Sequence, residues 1–145
     1  MNNDIVTASQ YLKDKGYTCV FCREDTMYSS TERGVKPLLD FIENGPNLRG
    51  FSAADKIVGK AAALLYVLLG VKEVYAPVMS ETALYTLAHN GILPLCDCSV
   101  KSIRNRSGTG ACPMEETVVD IDEPRQAVIA IQNKLNILKE RRDEP

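Results

Sequence analysis

Two stretches concentrate side chains able to hold an anion, move a proton or attack an electrophile. The first is GFSAADKIVGKAAALLYVLLGVKEVYA, in which Asp55, Lys56 and Lys60 are the only charges before a long apolar run. The second is IRNRSGTGACPMEE, which carries Arg104, Asn105, Arg106, Gly108, Gly110, Cys112, Glu115 and Glu116. Arginine presents a planar fork that matches a carboxylate or phosphate. Gly108 and Gly110 let backbone amides approach an anion closely. Cys112 can act as a nucleophile where neighbouring arginines or a helix terminus favour its thiolate. Asp55 and Glu115 can serve as acid or base. Lys56, Lys60, Asn105 and Arg106 form the ligand-holding set. The plainer reading of the second stretch is a surface loop tied by Arg–Glu pairs.

Both stretches need elements to position them. Ser52 has the character of a helix N-cap, and Asp55 stands three residues on, a capping-box spacing. The pattern therefore predicts a central helix opening at Ser52, with Asp55, Lys56 and Lys60 in its first turns and Lys56 and Lys60 on one face. Residues 61–69 are apolar except for the Tyr66 hydroxyl, as in a helix buried between layers. Gly70 is the stop signal, and residues 71–76 read as a buried strand. Two lysines at a helix start oppose its dipole, which implies a nearby anion or carboxylate, with Glu81, Glu115 and Glu116 as candidates. Gly59 removes a side chain and lets another group come close.

Around this centre the chain alternates. Residues 4–15 form an amphipathic helix ending at Gly16. Residues 17–23 and 26–30 form a hairpin turning at Glu24-Asp25. A helix over 33–43 is broken by Gly45-Pro46. Ser80 caps a helix that Gly91 ends, residues 92–103 hold one or two strands, 114–119 are ambiguous, and 123–142 are a last helix. Alternating helix and strand after an opening hairpin gives a mixed sheet with helices on both faces, a three-layer α/β/α fold.

The totals narrow the function classes. A chain of 145 residues is one domain, residues 1–145. A formal charge of −2 gives no electrostatic case for nucleic acid. No basic, apolar leader opens the chain, and the apolar run at 61–69 is too short to span a bilayer, so the expected location is cytoplasmic with no membrane partner. Of five cysteines, Cys19 and Cys22 fall on one strand at a spacing that points them to opposite faces. Cys96 and Cys98 supply only two ligands. Structural thiols are the better reading than zinc. His89, late on its helix, reads as a polar helix-end residue.

The segments ADKIVGKAAALLYVLLGVKEVYA and NRxGxGxCPMEE resemble a small prokaryotic family of unknown function placed in the cytidine deaminase-like superfamily, and the resemblance covers residues 4–138. It implies a deaminase-like three-layer fold and a homo-oligomer. In zinc deaminases two helices open with the metal ligands and a proton-shuttling Glu. Matched to that pattern, Ala53 and Val78 stand at ligand positions, Asp55 at the Glu, and Glu81 at the last cysteine. The resemblance therefore implies no zinc and no other cofactor. The expectation is a site for a small anionic or nucleotide-like molecule, with zinc-independent catalysis through Asp55, Cys112 and Glu115. The alternative is a metabolite-sensing or structural oligomeric module.

Overall fold

A computed structural model describes residues 4–32, 34–103 and 112–143. Helix α1 (Asp4–Lys15) leads into strands β1 (Cys19–Arg23) and β2 (Thr26–Ser30), an antiparallel hairpin turned at Glu24 and Asp25. Helix α2 (Lys36–Asn44) carries Pro37 in its first turn, where a missing amide proton costs nothing. Then come β3 (Ser52–Asp55), β4 (Ile57–Val58), the central helix α3 (Lys60–Leu69), β5 (Glu73–Ser80), α4 (Glu81–His89) and β6 (Leu93–Val100). The short helix α5 (Pro113–Thr117) and the long α6 (Pro124–Asp143) complete the described chain.

Among the described residues the sheet has six strands. β1 runs antiparallel to β2 and to β3, whereas β3, β4 and β6 all lie parallel to β5. β3 and β4 keep one register against β5, with Ser52 opposite Glu73 and Ile57 opposite Val78, so they are two halves of one strand line. That line lapses at Asp55 and Lys56, where the same register would meet Ala76 and Pro77. Proline has no amide proton to give a ladder, and it is found in sheets where pairing fails.

The strands alternate between two packed faces. Val20, Cys22 and Ala54 meet Ala8 and Leu12 of α1. Cys19, Phe21, Ala53, Val74 and Ala76 meet the larger core built on α3. Cys19 and Cys22 thus point to opposite sides, as their spacing predicts. Helices α2, α4, α5 and α6 pack against α3. The result is a mixed sheet flanked by helices, an α/β/α arrangement. None of the described helices is long and apolar enough to cross a membrane.

The central helix starts later than the sequence pattern predicts. Residues 52–55 are a strand paired on both sides, with Cys19 opposite Asp55 and Ala54 opposite Tyr75. Ser52 is fully buried and donates its hydroxyl to Glu73 Oε2 at 2.5 Å instead of capping a helix. Phe51, Ser52, Ala53 and Ala54 are all buried, and so short a buried run carries no period to tell strand from helix. Lys56 and Lys60 consequently share no helix face. β5 also outruns its predicted end, continuing through Pro77 to Ser80. Ser80 does cap α4, accepting the Ala83 amide at 3.1 Å, and Gly70 ends α3 in the left-handed region.

Candidate functional site

The lapse at Asp55 opens onto a cavity of about 420 Å³. Its lining brings Asp55, Lys56, Cys112 and Glu115 together, with Thr18 at one edge and Val35, Ile57, Ala62 and Met114 as apolar wall. Strand alternation puts Asp55 on the same side as Ala53, facing α3. There its Oδ2 accepts the Tyr66 hydroxyl at 2.6 Å, and the backbone amides of Lys56 and Ile57 favour its charged form.

Glu115 reaches this place from fifty-five residues away in sequence. Its Oε1 accepts the Lys60 amide at 2.7 Å and its Oε2 the Ala61 amide at 2.8 Å. A helix start leaves such amides unpaired and carries partial positive charge, so a carboxylate there is stabilising. Gly59, the N-cap residue, has no side chain to offer, and its lack of a Cβ makes room for the visiting carboxylate. The base of the polar loop is pinned where the Cys112 amide donates to Ile103 O at 3.0 Å, and both residues line the cavity. Asn105, Arg106, Gly108 and Gly110 lie outside the described residues.

Lys60 is not part of the lining. Its ammonium donates to Val119 O at 3.2 Å and pairs with Asp122 Oδ1 at 3.2 Å. The positions matched in sequence to a metal-binding pattern are also displaced from helix starts. Ala53 sits in β3 and Val78 in β5, and of the matched residues Glu81 alone opens a helix. Among the described residues, no group of three His, Cys, Asp or Glu side chains is placed to hold a metal ion.

Residues 7–135 match the family model described as TM1506, domain of unknown function (DUF1893). The chain belongs to this family. A solved structure, of a DUF1893 family protein (TM1506) from Thermotoga maritima, is similar with a TM-score of 0.84 and 25% identity, over 92% of this chain and 91% of that one. No curated protein matches the chain.

In this DUF1893 chain the electrostatics of the cavity centre on Asp55. Burial pushes its carboxyl from 3.8 up to about 6, against the lowering effect of its bonds from Tyr66 and from the Lys56 and Ile57 amides. Part of the side chain still faces the cavity. A carboxyl poised there exchanges a proton near neutral pH, which suits a general base or acid. Burial also drives the Tyr66 hydroxyl well above its ordinary range, with Asp55 and Cys19 adding to the effect. The Cys19 thiol is pushed up as well, by burial and then by Asp55, so it is an inert core group. Cys112 is the thiol that opens on the cavity.

Sequence reasoning about the DUF1893 site missed Thr18, Val35 and Tyr66. Thr18 donates to Ser30 O at 3.0 Å and Glu32 O at 2.5 Å, fixing the strand end beside the cavity. Tyr66 did leave a signal. A hydroxyl inside an apolar stretch of helix must find a partner, and Asp55 is the nearest acid on the N-terminal side.

Proposed function

We propose that this protein binds a small nucleotide-like anionic molecule in the cavity between α3 and the β3–β4 line, with Asp55 as the group that recognises it and exchanges a proton with it. The observation that carries this reading is Asp55 itself. A carboxyl kept in the interior at a cost, held by the Tyr66 hydroxyl and opening on a cavity, is a feature of binding and catalytic sites rather than of packing. Lys56, exposed beside it, is placed to meet the anionic end of the ligand. Cys112 shares the cavity and is the nucleophile if the ligand is turned over.

Kinship with cytidine deaminase-like proteins, without their zinc, belongs to the same proposal. Its support is the opening helix and hairpin followed by parallel strands and helices that start beside one another, α3 at Lys60 and α4 at Glu81. A homo-oligomer is part of it too, supported by Val119 and Ile129, which stand 66% and 62% exposed.

Calorimetric titration with the four ribonucleoside monophosphates tests the reading. At least one should bind wild type, and Asp55→Asn should weaken it by about tenfold or more, a loss of about 1.4 kcal/mol. Failure of all four to bind, or equal binding to Asp55→Asn, contradicts it.

A further inference from the structure

Resting on the cavity reading above, we infer the polarity of the ligand: it enters with an N–H-bearing heteroaromatic ring pointed at Asp55, and the site refuses a ring whose inner edge is a carboxylate.

Among the described lining residues, side-chain acceptors outnumber side-chain donors. An ionised carboxylate has about four acceptor positions. Asp55 spends one on the Tyr66 hydroxyl, which leaves room for a further donor. The other acid in the lining, Glu115, has both oxygens engaged by the Lys60 and Ala61 amides. Those amides are the donors an incoming anion would seek, and Glu115 already covers them. Thr18 spends its hydroxyl proton on backbone carbonyls. Among the described lining residues the one cation is Lys56, and it is exposed. The ammonium of Lys60 is turned to Val119 and Asp122.

An anion brought inside would therefore face two carboxylates, and among the described residues no cation turns inward to offset them; like charges so placed repel. A ring N–H or amino group makes a charge-assisted bond to Asp55 instead. Val35, Ile57, Ala62 and Met114 supply an apolar wall for the ring faces. A cavity of about 420 Å³ lies within the range that holds small ligands.

Two probes built on one ring separate these outcomes: 4-aminopyrimidine, and pyrimidine-4-carboxylate. Ligand-observed NMR on the full chain should show the amine binding, intermolecular contacts from its ring protons to the Met114 and Ile57 methyls, and binding about tenfold weaker in Asp55→Asn. The carboxylate should show no binding. Equal or tighter binding of the carboxylate, or amine binding that Asp55→Asn leaves unchanged, overturns the inference. The ring-to-methyl contacts are read on wild type, so an Asp55→Asn variant that failed to fold would not blunt the test; binding without those contacts also overturns it. Nucleotides that bind through Asp55 while the carboxylate probe binds as well would sink this inference and leave the broader reading standing. Amine binding with no nucleotide binding would do the reverse.

Discussion

Glu115 occupies the space that a side chain on Gly59 would take: a Cβ built on Gly59 would fall 2.2 Å from Glu115 Oε1 and 2.4 Å from its carboxyl carbon. The glycine is there for the visitor, since its own φ of −102° is open to any residue. This contact ties the start of α3 to α5 and closes one wall of the cavity.

A double-mutant cycle reads the tie. Gly59→Ala should drive the carboxylate off the Lys60 and Ala61 amides, so it should cost as much as Glu115→Ala, about 1–2 kcal/mol for a lost cap. The double variant should cost little more than either single one, a non-additive result expected of groups in contact. Denaturant melts of the four proteins give the comparison. Additive losses would mean that Gly59 and Glu115 act separately.

Stability should also carry the signature of Asp55. Its folded-state carboxyl titrates near 6, above the 3.8 of the free group, so the folded chain binds the extra proton between those values. Stability from this group is therefore greatest below the lower value and is lost as pH rises through the upper one. A shift of this size corresponds to about 2–3 kcal/mol. Asp55→Asn, which has no proton to lose, should gain on wild type by about that amount between about pH 4 and pH 8. Melts across the range check this, and parallel curves for the two proteins would contradict it.

The two lysines should separate. Lys60→Met removes a pair with the 96%-exposed Asp122 and a bond to Val119 O, so it should lower stability modestly, by about 1 kcal/mol or less, and leave ligand affinity unchanged. Lys56→Met should leave the melt unchanged, weaken nucleotide binding, and flatten its dependence on salt. Calorimetry at two ionic strengths distinguishes them. Loss of binding in Lys60→Met would place that ammonium in the site after all.

Thiol reactivity offers a view of the cavity that needs no mutation. Cys112 lines it and Cys98 is exposed on β6, whereas Cys19 and Cys22 are buried. Iodoacetamide should label Cys98 and Cys112 and spare Cys19 and Cys22. A saturating nucleotide should slow labelling at Cys112 and not at Cys98. Equal protection, or none, would put the ligand elsewhere.

Much of this was legible in the residues. The hairpin at Glu24-Asp25, the Ser80 cap, the Gly70 stop and the α/β/α layering follow from turn chemistry and period. The apolar run to Leu69 pointed to a buried helix, and the glycine at position 59 pointed to a close approach. What period does not encode is the change from strand to helix inside a run that is buried throughout. Ser52 and Asp55 have the residue types of a capping box, yet pairing with β1 and β5 claims their backbone first. Pro77 was the available clue. It breaks the ladder beside Asp55, but only the register across β5 shows which residue it faces. Charge alone offers Glu81, Glu115 and Glu116 as carboxylates to offset the two lysines; tertiary contact puts Glu115 on the α3 amides instead and pairs the Lys60 ammonium with Asp122.

The most direct measurement is the titration of the Asp55 side-chain carboxyl by carbon-13 NMR, with and without a saturating nucleoside monophosphate. The account predicts a midpoint near 6 in the free protein and a lower one in the complex, because a ligand N–H favours the ionised form. A free-protein midpoint at the ordinary 3.8, or one that the nucleotide does not move, would contradict it.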